Sequence, residues 1–202
     1  MCITVMVWVV AGVFGGPEWS GWQQRRVPEV RRADSVLSSA VGETVSMRVY
    51  LPATAADLSA PGVSARRAHA VTAALAAALP EEDEEGLEVS ASLCAADASV
   101  ELLAAGGPGL ADRRVVLAAD LDPTEVRELV VGGDVLPGTV EVLGEVDWER
   151  VAALLVDEAA AEADVALACT GDEEAFERTA EADLLWYDAS ERKALAAELA
   201  RS

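Results

Sequence analysis

The sequence predicts an α+β fold, a two-layer sandwich with a mixed, largely antiparallel sheet resembling a ferredoxin-like core with additions. Three observations carry this expectation. Apolar residues make up 52% of the 202-residue chain, enough for one core. Short runs of strand character recur at 47–54, 113–120, 139–146, 151–157 and 183–187. The alanine-rich stretches of helical period are partly segregated from those runs rather than strictly alternating with them.

Taken in order, MRVYLPAT (47–54) alternates Met47, Val49 and Leu51 against Arg48 and Tyr50, a short strand that stops at Pro52. In SARRAHAVTAALAAAL (64–79), Ala68, Val71, Leu75, Ala78 and Leu79 share one helical face, and Pro80 with the acidic EEDEEG stretch ends that helix. Residues 87–93 alternate locally like a strand. Over a longer window Leu87, Ala91, Cys94, Ala98 and Leu102 keep a helical stripe up to the GGPG turn at 106–109, so a helix is expected.

RRVVLAAD (113–120) is a compact apolar run between charges and reads as a buried strand. DPTE (122–125) has an acidic N-cap, proline at the first helical position and Glu125 where a capping box needs it. GGDVLPG (132–138) reads as loop, TVEVLGEV (139–146) as strand, and DWER (147–150) as a capped turn into the buried strand VAALLVD (151–157). A helix follows from Glu158 to about Cys169, then a polar segment at 171–182, the strand DLLWY (183–187) and a closing helix from Ser190 to Ala200.

Charge separates the chain into two parts. Fifteen Lys+Arg against 36 Asp+Glu give −21, yet residues 1–46 hold four arginines and four acids and sum to zero. The whole imbalance therefore lies in 47–202, read as a single acidic domain. A field of that sign repels phosphate backbones and anionic lipid surfaces, which argues against nucleic acid; it leaves a basic protein partner or a bound cation open, and its simplest reading is a solubilising surface. Cys2, Cys94 and Cys169 are few and far apart, without a C-x-x-C, and with one histidine they build no Cys/His zinc site. Sparse cysteines suit a reducing compartment, so a cytoplasmic location is expected. The single lysine, the single isoleucine and the lack of asparagine point to a high-GC genome.

The stretch 1–46 reads as an irregular, neutral extension. Its first seventeen residues carry no charge but fall short of the roughly 20 that a spanning helix needs. It has no basic n-region and no A-x-A-like cleavage site. Gly42-Glu43 can be encoded GGA-GAG, a ribosome-binding type of sequence three codons ahead of Met47. Met1–Ser46 is accordingly expected to be upstream sequence read in frame; a membrane location would require it to be genuine.

The mechanistic motifs mostly fail. Gly133 and Gly138 have phosphate-loop spacing, but Thr139 stands where the lysine belongs. SERK (190–193) matches a Ser-x-x-Lys pattern without any Lys-Thr-Gly, and Ser190 is better read as an N-cap. His69, beside Arg66 and Arg67, lies off the apolar stripe and is expected on the surface. Asp120 and Asp122 end one strand, Asp157 and Glu158 another. Were those strands neighbours with their acids at one edge, the four carboxylates could hold Mg²⁺ or Ca²⁺. The simpler reading makes them caps and dipole partners. Trp186 and Tyr187 point to opposite faces of their strand, so one could serve the core and the other a partner surface, although structural packing of both is the simpler reading.

At MRVYLPAT, AVTAAL, RRVVLAAD, VAALLVDEAAAE and DLLWYDASE the chain resembles a family of uncharacterised proteins of high-GC bacteria, over most of 47–202. Members commonly carry His-Val-Asp in the fourth strand, where this chain has Leu155-Val156-Asp157. The resemblance implies a small cytoplasmic domain and transfers no catalytic residue or cofactor. The function expected is that of a non-enzymatic protein-binding or regulatory module; the alternative is a metal-binding protein or enzyme using the four carboxylates. Mass spectrometry of the protein from its native cells should find an N-terminal peptide starting at Met47 in the soluble fraction. A chain retaining Met1–Pro17 in the membrane fraction would overturn both the start and the location.

Overall fold

In the computed structural model, residues 46–107 and 110–201 are described. The expectation for Met1–Ser46 therefore lies, Ser46 apart, outside the described residues. Seven strands form one sheet: β1 (Met47–Ala53), β2 (Arg67–Ala70), β3 (Val115–Leu121), β4 (Val126–Glu128), β5 (Thr139–Val142), β6 (Val151–Asp157) and β7 (Leu184–Asp188). Their order is β4-β5-β2-β1-β3-β6-β7. Every neighbouring pair is antiparallel, so the α+β class holds while the sheet is not mixed.

Among the described residues five α-helices accompany the sheet: α1 (Ala73–Ala78), α2 (Glu84–Gly106), α3 (Glu162–Ala168), α4 (Glu173–Thr179) and α5 (Arg192–Leu199). The connection through α1 and α2 leads from β2 past β1 to β3, a split β-α-β unit of the ferredoxin-like kind. The resemblance to that core stops there. β6 and β7 are also joined through helices, but they are antiparallel neighbours instead of a second split unit.

Strand alternation divides the interior in two. Val49, Leu51, Val115, Leu117, Val140, Leu154 and Val156 face one side, where Leu58, Val63, Val146 and α5 residues Leu195 and Leu199 cover them. Tyr50, Val116, Ala118 and Ala153 face the other, under Leu75, Leu79, Leu87, Ala91 and Ala95 of α1 and α2. The far half of α2 meets α3 and α4 through Val100 with Phe176 and Leu103 with Val165. With neighbours on more than one side, this 23-residue helix is apolar enough by length and composition to cross a membrane, yet more than half of that stretch is buried inside the domain. It is a core helix.

Small side chains let α2 lie close to the sheet. Ser99, fully buried, donates to the Ala53 carbonyl at 2.7 Å and accepts from the Val115 amide at 3.1 Å, tying the helix to β1 and β3. On the opposite face the Arg192 guanidinium stacks 4.2 Å from the Trp148 ring centroid and donates to the carbonyls of Leu58 and Ala60, which holds α5 against the covering segment.

The single helix expected over 64–79 is instead strand then helix. Arg67–Ala70 pairs with both β1 and β5, and only at Thr72, whose hydroxyl accepts from the Leu75 amide, does α1 begin. Alanine's helical advantage is a few tenths of a kcal/mol per residue, which two rows of strand pairing override. The polar 171–182 segment contains α4, capped by Asp172 and holding Ala175, Phe176 and Thr179 inward. The capping box at Asp122 is present, but it closes a single 3₁₀ turn, Pro123–Glu125, that leads into β4.

Candidate functional site

The densest polar cluster of the described residues lies where β3 starts and β6 ends. Register places Val115 opposite Val156, so Arg113 and Arg114 sit beside Asp157. Arg114 and Asp157 are both fully buried. The carboxylate receives the Arg114 backbone amide (2.8 Å), Nε (2.9 and 3.0 Å) and Nη2 (2.7 Å). Nη2 also donates to the Thr179 carbonyl of α4 at 2.6 Å. Nη1 lies 3.9 Å from the Asp97 carboxylate on α2, beyond hydrogen-bonding distance, and has no hydrogen-bond partner. Arg113 turns to the other face, donating through Nε and Nη2 to the Asp157 carbonyl, with Nη1 3.5 Å from Glu198 on α5.

The four carboxylates considered for a metal are not brought together. β3 and β6 are neighbours but run antiparallel, so Asp120 and Asp122 lie at the opposite end of the sheet from Asp157 and Glu158. Three of them are also engaged locally. Asp120 forms a two-pronged pair with Arg48, at 2.7 and 3.1 Å. The hydroxyl and amide of Thr124 hold the Asp122 carboxyl below its ordinary range. Asp157 is enclosed by arginine, and Glu158 begins a 3₁₀ turn without a side-chain cap. No group of three or more His, Cys, Asp or Glu side chains among the described residues is placed to hold a metal ion.

His69 corrects a second expectation. It lies in β2 opposite Tyr50 and Thr139, only 7% exposed, with no partner for Nδ1. Burial pushes its pKa down to about 4. Burial, then the charge of Glu88, pushes Tyr50 up to about 12, so both rings are neutral at physiological pH. Burial first and Asp112 second raise the Cys169 thiol, the opposite of an activated nucleophile. Ser190 is not the cap expected of it: Asp188 accepts from the Ser190 amide at 2.8 Å and forms a capping box with Glu191. The glycines at 132, 133 and 138 take positive φ around a tight turn, serving geometry there.

A cleft of about 280 Å³ opens beside Leu121, Glu125, Val142, Val146 and Arg150. Its one cation is committed, since Arg150 donates to the Asp120 carbonyl at 2.7 Å and approaches Glu125 at 3.4 Å. The aromatic pair divides between core and solvent: Tyr187 is half-buried against the interior and Trp186 is 62% exposed.

Residues 47–196 match a family of unknown function (DUF6912). The chain belongs to that family. Comparison with curated proteins finds no match, and comparison with solved structures finds none. Family membership thus covers nearly all of the described domain and brings no activity with it.

The sequence reading passed over Arg113 and Arg114, treating them as charges bounding a strand. A signal was present: a basic pair opens one apolar run and an acid closes another, as antiparallel neighbours would require. Asp157→Ala should lower unfolding free energy in urea by about 3–5 kcal/mol, because it removes the carboxylate that accepts most of the hydrogen bonds of a buried guanidinium. Arg114→Met combined with Asp157→Leu should cost clearly less than the two single changes added together. For His69 the folded pKa lies below the unfolded one, so stability falls as pH drops from about 6.5 towards 4, in total by about 3 kcal/mol. His69→Phe should flatten the urea midpoint between about pH 6.5 and 5, above most carboxylate titration.

Proposed function

We propose that this is a non-catalytic interaction or regulatory module of the cytoplasm, acting through its outer strand β7. One observation supports the reading above others: an indole 62% exposed on the terminal strand of a sheet, in a domain carrying the whole −21 charge. Tryptophan concentrates at protein interfaces because it offers a large contact area at little entropic cost. Leu185 beside it is 40% exposed. The acidic surface selects against nucleic acid and lipid headgroups and favours a basic protein. The free thiols of Cys94 and Cys169 agree with a reducing compartment.

Quantitative affinity capture from native cells tests this with the full chain as bait. The comparison is wild type, Trp186→Ser, and Val130→Ser as a control at an apolar residue 90% exposed elsewhere. A partner retained by wild type and Val130→Ser should drop by about tenfold with Trp186→Ser, a hot-spot effect of about 1.4 kcal/mol or more. If no captured protein depends on Trp186, the module acts through another surface and the reading fails.

A further inference from the structure

We infer that β7 docks an extended, basic segment of a partner protein, which adds to the sheet as an eighth strand; this rests on the interaction-module reading above. β7 pairs with β6 through five register positions, Leu184 to Asp188, without a shift. It is last in the strand order, so its outer row of amides and carbonyls faces no described strand. Exposed edges are normally guarded by proline, lysine, a bulge or shortness. The opposite edge, β4, is three residues long and carries the Arg127–Glu141 ion pair. LLWYD has none of these, and its single charge, Asp188, stands at the end of the strand.

Side-chain placement suits strand addition. Leu185 is opposite Val156 and Trp186 opposite Leu155, so the two exposed apolar groups stand on opposite faces of the sheet. An incoming strand with period-two alternation would meet an apolar contact on each face, with backbone hydrogen bonds supplying the rest.

Charge selects the occupant. Glu181 and Asp183 precede the strand, Asp188 and Glu191 close it; all four are exposed, and no basic residue lies between 181 and 191. Hydrogen bonds from Ser190 hold the Asp188 carboxyl below its ordinary range, so it remains charged at physiological pH. A second copy of this chain would bring the same acids edge to edge, with −21 on each side. A strand bearing Lys or Arg at alternate positions would instead meet carboxylates at both ends.

The test uses the ¹⁵N-labelled full chain, end-blocked synthetic peptides and backbone amide shifts. A peptide alternating Val and Lys should perturb the amides of Leu184–Asp188 in a saturable way. Its affinity should exceed that of the Val/Glu counterpart by at least about tenfold and weaken as salt is added. Methylating alternate backbone nitrogens of the Val/Lys peptide should abolish binding, since those N–H groups form the ladder. Equal binding of the methylated or acidic peptide overturns strand addition by a basic segment. So does an absence of β7 perturbation, or concentration-dependent dimerisation through β7. If capture depends on Trp186 while the peptides fail, the interaction reading stands and this one falls.

Discussion

The Arg114–Asp157 pair is the contact on which the architecture turns. Two neighbouring strands leave the sheet at that point, and each would otherwise expose unsatisfied backbone and an unneutralised charge to a dry interior. A buried ion pair is no general source of stability, because desolvation of both ions opposes their attraction. Here it supplies placement. One guanidinium reaches β6 and the α4 carbonyl of Thr179 and faces Asp97 on α2, while the adjacent Arg113 turns towards α5. Consecutive residues of a strand point to opposite faces, so an Arg-Arg dipeptide can orient both coverings of the sheet at once.

The rest of the polar interior follows the same logic. Ser99 joins α2 to two strands, and Arg66 links Asp57 to the Pro52 carbonyl within the covering segment. The Trp148–Arg192 stack fixes the closing helix. These groups serve as fasteners. In an alanine-rich core with few aromatics, side-chain shape alone specifies less, and directional contacts carry more of the register.

That division bears on function. Of the groups that could have served chemistry, His69 is enclosed and neutral, Asp157 is held by arginine, and Asp120 and Asp122 are engaged at the far end of the sheet. Many of the outward-facing side chains are acids, and the exposed apolar groups include the β7 edge and Val130 between β4 and β5. On the proposed reading, that acidic field would steer an encounter and the exposed indole would be its point of contact.

The sequence by itself determined the class of the fold, the strands at 47, 115, 151 and 184, the long helix, and the concentration of charge after residue 46. It also placed Trp186 and Tyr187 on opposite faces, because strand alternation is a local property of the chain. The tertiary structure decided what depends on partners distant in sequence. Arg67–Ala70 became strand because β1 and β5 flank it, although its alanines are locally helical, and that pairing is what buried His69. Strand direction decided the fate of the four carboxylates: they could converge only if β3 and β6 ran parallel, and the antiparallel pairing separated them. The Arg114–Asp157 pair was decided in the same way. Two opposite charges 43 positions apart become one contact only after the sheet has set their register.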